Sequence, residues 1–171
     1  MFKLKENNIQ KKTKKLQKLF EKRNVQIKPV QKIAVLNNPT SNLNFENLKL
    51  VQKTLGLKSS QFEIFTFKNK NDHYNELRGI VASKDVFSTF GKIKSPEIIE
   101  FLKKDFDLLL DFTGMSNLYE KYFSLAIKAN YRVGYFHPEE LYDLMLNIKK
   151  GDIDNFASET YKYLTIIGLL K

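Results

Sequence analysis

Three features of the sequence predict an α/β fold with a mostly parallel sheet. Residues 106–136 run as buried strand, polar turn, amphipathic helix and second buried strand, which is one βαβ unit. Two further apolar runs, KIAVLNN at 32–38 and FEIFTF at 62–67, are short enough for strands. Helical periodicity lies between them and again before and after the βαβ unit. Strands that alternate with helices take right-handed crossovers and place helices on both sheet faces. The expectation is a small Rossmann-like three-layer fold with an N-terminal basic helix.

The elements follow in order. Residues 6–23 are helix formers with a thin apolar stripe, Ile9, Leu16, Leu19 and Phe20, so this helix either docks lightly or projects, and Pro29 ends it. The first strand stands between Pro29 and Pro39, and a turn-rich polar loop, Asn37 to Asn42, follows it. A helix starts near Asn44, with Phe45, Leu48, Val51 and Leu55 on one face and Gly56 as left-handed cap. Residues 62–67 form the second strand. Edge pieces are expected near Ile80 and Val81 and near Val86 and Phe87. Ser95, Pro96 and Glu97 open another helix: Ser caps, Pro takes the first position and Glu meets the positive end. Residues 107–112 are the most hydrophobic strand and belong in the sheet centre. Ser116 or Asn117 caps the next helix, whose stripe is Leu118, Tyr122, Leu125, Ala126 and Ala129. Residues 131–136 are the next strand. Residues 141–148 fit either a helix or a strand, and Pro138 with Glu139 and Glu140 favours a short helix. Asp152 or Asp154 opens the last helix, with Ile153, Phe156, Tyr163, Leu164 and Ile167 facing in.

A chain of 171 residues suits one domain with a real core. The absence of Cys excludes disulfides, thiolate metal sites and cysteine nucleophiles, and it fits a cytoplasmic location. No apolar run approaches the ~18 residues of a membrane span, and the start lacks the apolar segment of a secretory signal. The net charge of +10 is lopsided. Residues 1–30 hold ten bases against Glu6 and Glu21, whereas the rest holds nineteen bases against seventeen acids. The expected division is a basic helical arm at 1–28 and a single α/β domain at 29–171. Lys11, Lys12, Lys14, Lys15, Lys18, Lys22 and Arg23 on the arm could neutralise several phosphates of RNA or another polyanion without reading sequence. A solvated helix face that only keeps the chain soluble explains the same residues.

Asp107-Leu108-Leu109-Leu110-Asp111, the helix that follows and Arg132-Val133-Gly134 resemble the N-terminal domain of the lipopolysaccharide heptosyltransferases. Those enzymes carry a D-L-V-I-D strand, a Leu- and Ala-rich helix and an R-x-G strand. The resemblance covers about 30 residues and implies a Rossmann-like domain. That family places a Gly-Asp pair after its first strand, with the Asp as candidate base. Asn37, Asn38, Pro39 and Thr40 stand there instead, and Asn accepts no proton near neutral pH. The family's second, donor-binding domain has no room in 171 residues. GKIKSPEIIEFLKKDFDLLLDF, the A-x-x-R-V-G strand and the closing K-Y-L helix resemble a family of small proteins from Bacteroidota. That family has no established activity, and the resemblance implies only the fold.

Ligands of open α/β sheets sit beyond the carboxyl ends of the strands, at the switch in strand order. Asn37, Asn38 and Thr40 after the first strand, and Thr113, Gly114, Ser116 and Asn117 after the central one, are the ligand-binding candidates. The latter lead into a helix N-terminus that suits a small anion. Ordinary turn and capping roles explain the same residues and are the simpler account. His137 follows a strand beside Glu139 and Glu140 and is a candidate acid or base. His73 is the only other imidazole. Asp111, if buried, needs a partner such as Arg132. With neither G-x-G-x-x-G nor a Walker A sequence, no cofactor is expected, and two His without Cys argue against a metal. The resulting expectation is a non-catalytic cytoplasmic protein that contacts RNA, the ribosome or another polyanion. The alternative is a small glycosyltransferase-like or phosphate-ligand enzyme that uses the strand-end crevice. A homodimer through an edge strand or the last helix stays open.

Overall fold

The computed structural model describes residues 1–72, 77 and 79–171. His73 lies outside the described residues. The chain runs α1 (Phe2–Lys22), β1 (Ile33–Asn37), α2 (Phe45–Leu55), β2 (Phe62–Phe67), β3 (Ile80–Ala82), α3 (Pro96–Lys103), β4 (Asp105–Asp111), α4 (Leu118–Ala126), β5 (Lys128–Tyr135), β6 (Leu144–Leu146) and α5 (Ile153–Ile166). The strands form one six-stranded sheet in the order β3-β2-β1-β4-β5-β6, with every neighbouring pair parallel. This is the doubly wound arrangement that the sequence predicts, and its switch point falls between β1 and β4.

Burial on both faces explains why the central strands are continuously apolar. Ile33, Val35, Leu108 and Leu110 point to one side, where Val51 of α2 and Phe156 of α5 cover them. Ala34, Leu36 and Leu109 point to the other, where Phe65, Phe101 and Phe123 fill the space between sheet, α3 and α4. The helix signals work locally as expected. Asn44 accepts from the Asn47 amide at 2.8 Å, and Gly56 closes α2 at φ 66°. Ser95 accepts from the Ile98 amide, with Pro96 opening α3. No helix among the described residues is long and apolar enough to cross a membrane.

The structure corrects several details. Residues 141–148 carry no helix: Leu144–Leu146 pair with β5 as the edge strand β6. The connection before it packs instead, with Leu141 and Tyr142 buried, and Glu140 at φ 51° interrupts any helical run. Lys84–Val86 is a single 3-10 turn, and Phe87 makes one antiparallel bridge to Ile93. Helix α4 stops at Ala126, so Ala129 belongs to β5, and the α4 side chains buried in the aromatic core are Tyr119 and Phe123. Phe45 and Tyr163, expected inside, are exposed. Gly134 is needed for close approach: a Cβ there would stand 2.3 Å from the Tyr142 ring.

Candidate polyanion interface and strand-end crevice

Of the two dispositions that the thin stripe leaves open for α1, the chain takes the docked one. Ile9 is 0% exposed within the aromatic core, and Thr13 is buried beside it, its hydroxyl donating to the Ile9 carbonyl at 2.8 Å. Leu16 and Phe20 pack against a third cluster containing Leu125, Leu141 and Tyr142. Both flanks are tied. Lys12 Nζ donates to the Gly91 carbonyl at 2.6 Å, Asn8 donates to that of Thr89 at 3.3 Å, and Lys5 donates to that of Lys84. At the other end Arg23 pairs with Asp143 and donates to the Asn130 carbonyl at 3.0 Å.

Docking sorts the basic residues by direction. Ile9, Thr13, Leu16 and Phe20 face the body, so positions half a turn away face solvent. Those positions are Lys11, Lys14, Lys15, Lys18 and Lys22, all exposed. Among the described residues none of the five has a carboxylate within 4.0 Å. From Lys11 to Lys22 the stripe runs about 16 Å at the helical rise. Lys12 and Arg23 stand apart: one is half-buried against the 84–94 turn and the other is ion-paired. Burial holds the Lys12 pKa below its ordinary value, and the nearby charges of Lys92 and Lys15 lower it further. Positive charge is therefore dense where the turn meets α1.

The crevice beyond β1 and β4 also exists, but its polar groups already serve one another. Asn38 Nδ2 donates to Glu120 Oε1 at 2.7 Å, and Asn38 Oδ1 accepts from the Thr40 amide and hydroxyl at 3.2 and 3.1 Å. Asn37 accepts from the Ser41 hydroxyl. Asn117 caps α4 by accepting from the Tyr119 and Glu120 amides, both at 3.0 Å. Glu120 Oε2 takes the Ser116 amide at 2.8 Å. A buried carboxylate of the chain's own thus occupies the positive end of α4, where an anion would otherwise bind. The space left, lined by Asn38, Thr40, Phe67, Asp72, Ser116 and Glu120, is about 190 Å³, below the ~300 Å³ typical of small-molecule sites.

Asn38, Thr40, Ser116 and Asn117 line this crevice, whereas Asn37 and Thr113 lie buried behind it. Gly114, at φ 70°, adjoins Lys150 and Tyr135. His137 is half-buried beyond β5 and accepts from the Glu139 amide at 3.2 Å, outside the crevice lining. Asp111 does not pair with Arg132. Its Oδ1 accepts from the Thr113 amide and hydroxyl at 2.8 and 2.6 Å, and its Oδ2 accepts from the Tyr142 hydroxyl at 2.7 Å. Burial, then Asp111 itself, pushes the Tyr142 pKa well above the ordinary phenol range. Arg132 instead donates to the Ser124 and Ile127 carbonyls at the C-terminal end of α4, where a cation is favoured. Sequence reasoning missed Glu120 and Tyr142. For Glu120 a signal was present: Asn117-x-x-Glu120 is the spacing that puts an acid in a helix's first turn.

A family model described as a family of unknown function (DUF6913) matches residues 5–167. The chain belongs to that family, and the matched span includes nearly all of α1. No curated protein and no solved structure matches the chain.

Proposed function

We propose that this is a non-catalytic, cytoplasmic polyanion-binding protein whose outward lysine stripe on α1 contacts RNA, on the ribosome or free. One observation carries the reading: five lysines without a carboxylate partner among the described residues stand on one face of a helix whose opposite face is locked into the core. A rigid row loses less conformational freedom on binding than a mobile tail does. Five neutralised phosphates on a single strand give a salt slope of about −3.5 in log K against log salt. The test is K11E/K15E/K18E, measured by fluorescence anisotropy with a labelled single-stranded RNA over a salt series. We expect at least a tenfold loss of affinity and a slope that shrinks towards the two remaining lysines. Equal affinity and equal slope in the two proteins would refute the proposal. Deleting residues 1–23 is not the equivalent experiment, because it also removes Ile9 from the core.

The second reading, a small glycosyltransferase-like or phosphate-ligand enzyme, rests on the strand order that sets the crevice at the switch point. It ranks lower because the crevice amides are spoken for and its wall carries Glu120.

A further inference from the structure

At the opposite end of the sheet from the crevice, the amino ends of β4 and β5 meet the last turns of α1 in a groove of about 640 Å³. That volume is within the ordinary range of small-ligand sites. Its apolar wall comes from Leu16, Phe106, Leu125, Ala126 and Ala129. Its charged lining is Arg23, Lys28, Lys128 and Arg132, with Asp105 as the lone acid. Arg23 and Lys28 are ion-paired with Asp143 and Asp107, which lie outside the lining.

Arg132 is the unusual member. It is 4% exposed, and its backbone amide donates to Asp143 Oδ2 at 2.8 Å, but no carboxylate among the described residues lies within 4.0 Å of its guanidinium. Two of its nitrogens cap α4, but among the described residues its Nε has no hydrogen-bond partner, and the buried Nε of Arg23 has none either. Both guanidinium groups lie over the Phe20 ring, with Cζ at 4.4 Å for Arg23 and 5.8 Å for Arg132. Burial, then the facing charge of Arg23, lowers the Arg132 pKa to about 10. A buried cation next to another cation is costly. Asp143, which pairs with Arg23, and Asp111 offset part of that cost, but neither carboxylate reaches the Arg132 guanidinium, so a further anion there is favoured. Both arginines line the groove, and each keeps one buried N–H that a carboxylate seated between them would satisfy.

We infer that this groove binds a small amphipathic organic anion, a carboxylate on an aliphatic body, with the head between Arg23 and Arg132 and the body along Leu16, Phe106 and Leu125. The chemistry is that of an unbranched monocarboxylic acid. A phosphate monoester with the same tail shares it, so the two are tested side by side. The site is separate from the lysine stripe, and it stands or falls independently of RNA binding.

The probe is octanoate, titrated into the full chain by calorimetry and by amide chemical shifts, with octanamide, octyl phosphate and acetate as comparison compounds. The inference expects a Kd below about 1 mM for octanoate, at least tenfold weaker binding of octanamide and acetate, and shifts centred on Leu16, Arg23, Ala129 and Arg132. Octyl phosphate binding more tightly than octanoate assigns the head group to phosphate and overturns the carboxylate assignment. Arg23→Gln and Ala126→Phe should each weaken octanoate at least tenfold while leaving RNA affinity unchanged. Arg132→Gln is the more direct variant but removes the α4 cap, so Ala126→Phe, which only fills the groove, decides the matter if Arg132→Gln fails to fold. Equal affinity for octanoate and octanamide, no binding, or unchanged affinity in Ala126→Phe would overturn the inference. Displacement of octanoate from the groove by a single-stranded oligonucleotide would also overturn it, because the groove would then belong to the polyanion surface.

Discussion

Replacing Ile9 by Ala tests whether α1 belongs to the body that it covers. Ile9 is fully buried, and its surroundings cannot easily collapse into the gap. The Gly91 backbone is held against it, with a Cβ position only 3.4 Å from Ile9 Cγ1, and the neighbouring core is built of rings that contact one another. Truncating Ile to Ala in such a site costs about 2–5 kcal/mol, and a rigid lining puts the cost near the middle, about 3 kcal/mol. That is a large share of the ~5–15 kcal/mol that holds an ordinary domain together. With a urea m-value of about 2 kcal/mol/M, the midpoint should fall by about 1.5 M. Lys15→Ala, on the exposed face of the same helix, should change stability by no more than about 0.5 kcal/mol. The measurement is paired urea denaturation followed by circular dichroism. A fall of less than about 0.5 M for Ile9→Ala, with the m-value unchanged, would mean that the helix adds little to the folded state. The rigid lysine stripe would then lose its foundation.

Three further outcomes are expected. Gly134→Ala drives a methyl into the buried Tyr142 ring, whose hydroxyl is tied to Asp111, and should cost about 1–3 kcal/mol in thermal or chemical denaturation. Burial pushes the Asp107 carboxyl up, but hydrogen bonds from the Lys28 side chain and the Lys32 and Gln31 amides outweigh it and hold the pKa below the ordinary 3.8. A depressed folded pKa gives stability that is present above 3.8 and lost as pH falls through the lower folded value. The stability gap between wild type and Asp107→Asn should therefore be constant near neutrality and close at acid pH. Glu120→Ala frees the Ser116 amide and removes the negative charge at the start of α4, so phosphorus NMR should show inorganic phosphate binding the variant but not the wild type. Phosphate binding to the unmodified crevice would promote the enzyme reading.

What the sequence made legible depended on how local each signal is. Asn44, Gly56, Ser95 and Pro96 act within a turn of where they stand, so the ends of α2 and α3 could be read directly. Strands β1 and β4 were readable because burial on both sheet faces leaves a central apolar run, and β2 because its residues alternate and are strand formers. Residues 141–148 were not, because a short apolar run fits either element, and what decided it was pairing with β5, a contact made across the fold. Most inward positions of α4 and α5 were readable, Tyr122, Leu125, Ile153, Phe156 and Leu164 among them, but Tyr163 is exposed, and depth is set by what lies opposite: Tyr119 and Phe123, not singled out by periodicity, face Phe67 and Phe65. At the crevice the residue types were legible and their bonding was not. Asn38, Ser116 and Asn117 were recognisable as donors and acceptors, but that Asn38 and Ser116 spend themselves on Glu120 depends on two loops meeting at the switch point.

The same meeting of loops bears on where function should be sought. Doubly wound sheets usually recruit a ligand at the switch point because helix N-termini there present unused amides to an anion. Here the chain supplies the anion itself. A competing phosphate would have to displace a carboxylate held by Asn38 and Ser116, and it would do so in a space of about 190 Å³. Among the described residues, cations without a carboxylate in salt-bridge range gather elsewhere as well: the Lys11–Lys22 stripe on the outside of α1, and Arg132 beneath its last turn. Both depend on α1, which the uneven charge of the sequence marks as the basic segment and Ile9 ties to the core. If the helix were merely a solubilising appendage, its inward face would need no fully buried isoleucine and its flanks no hydrogen bonds to residues 84–91. Anchoring of that kind orients charge, and oriented charge is what a polyanion can recognise.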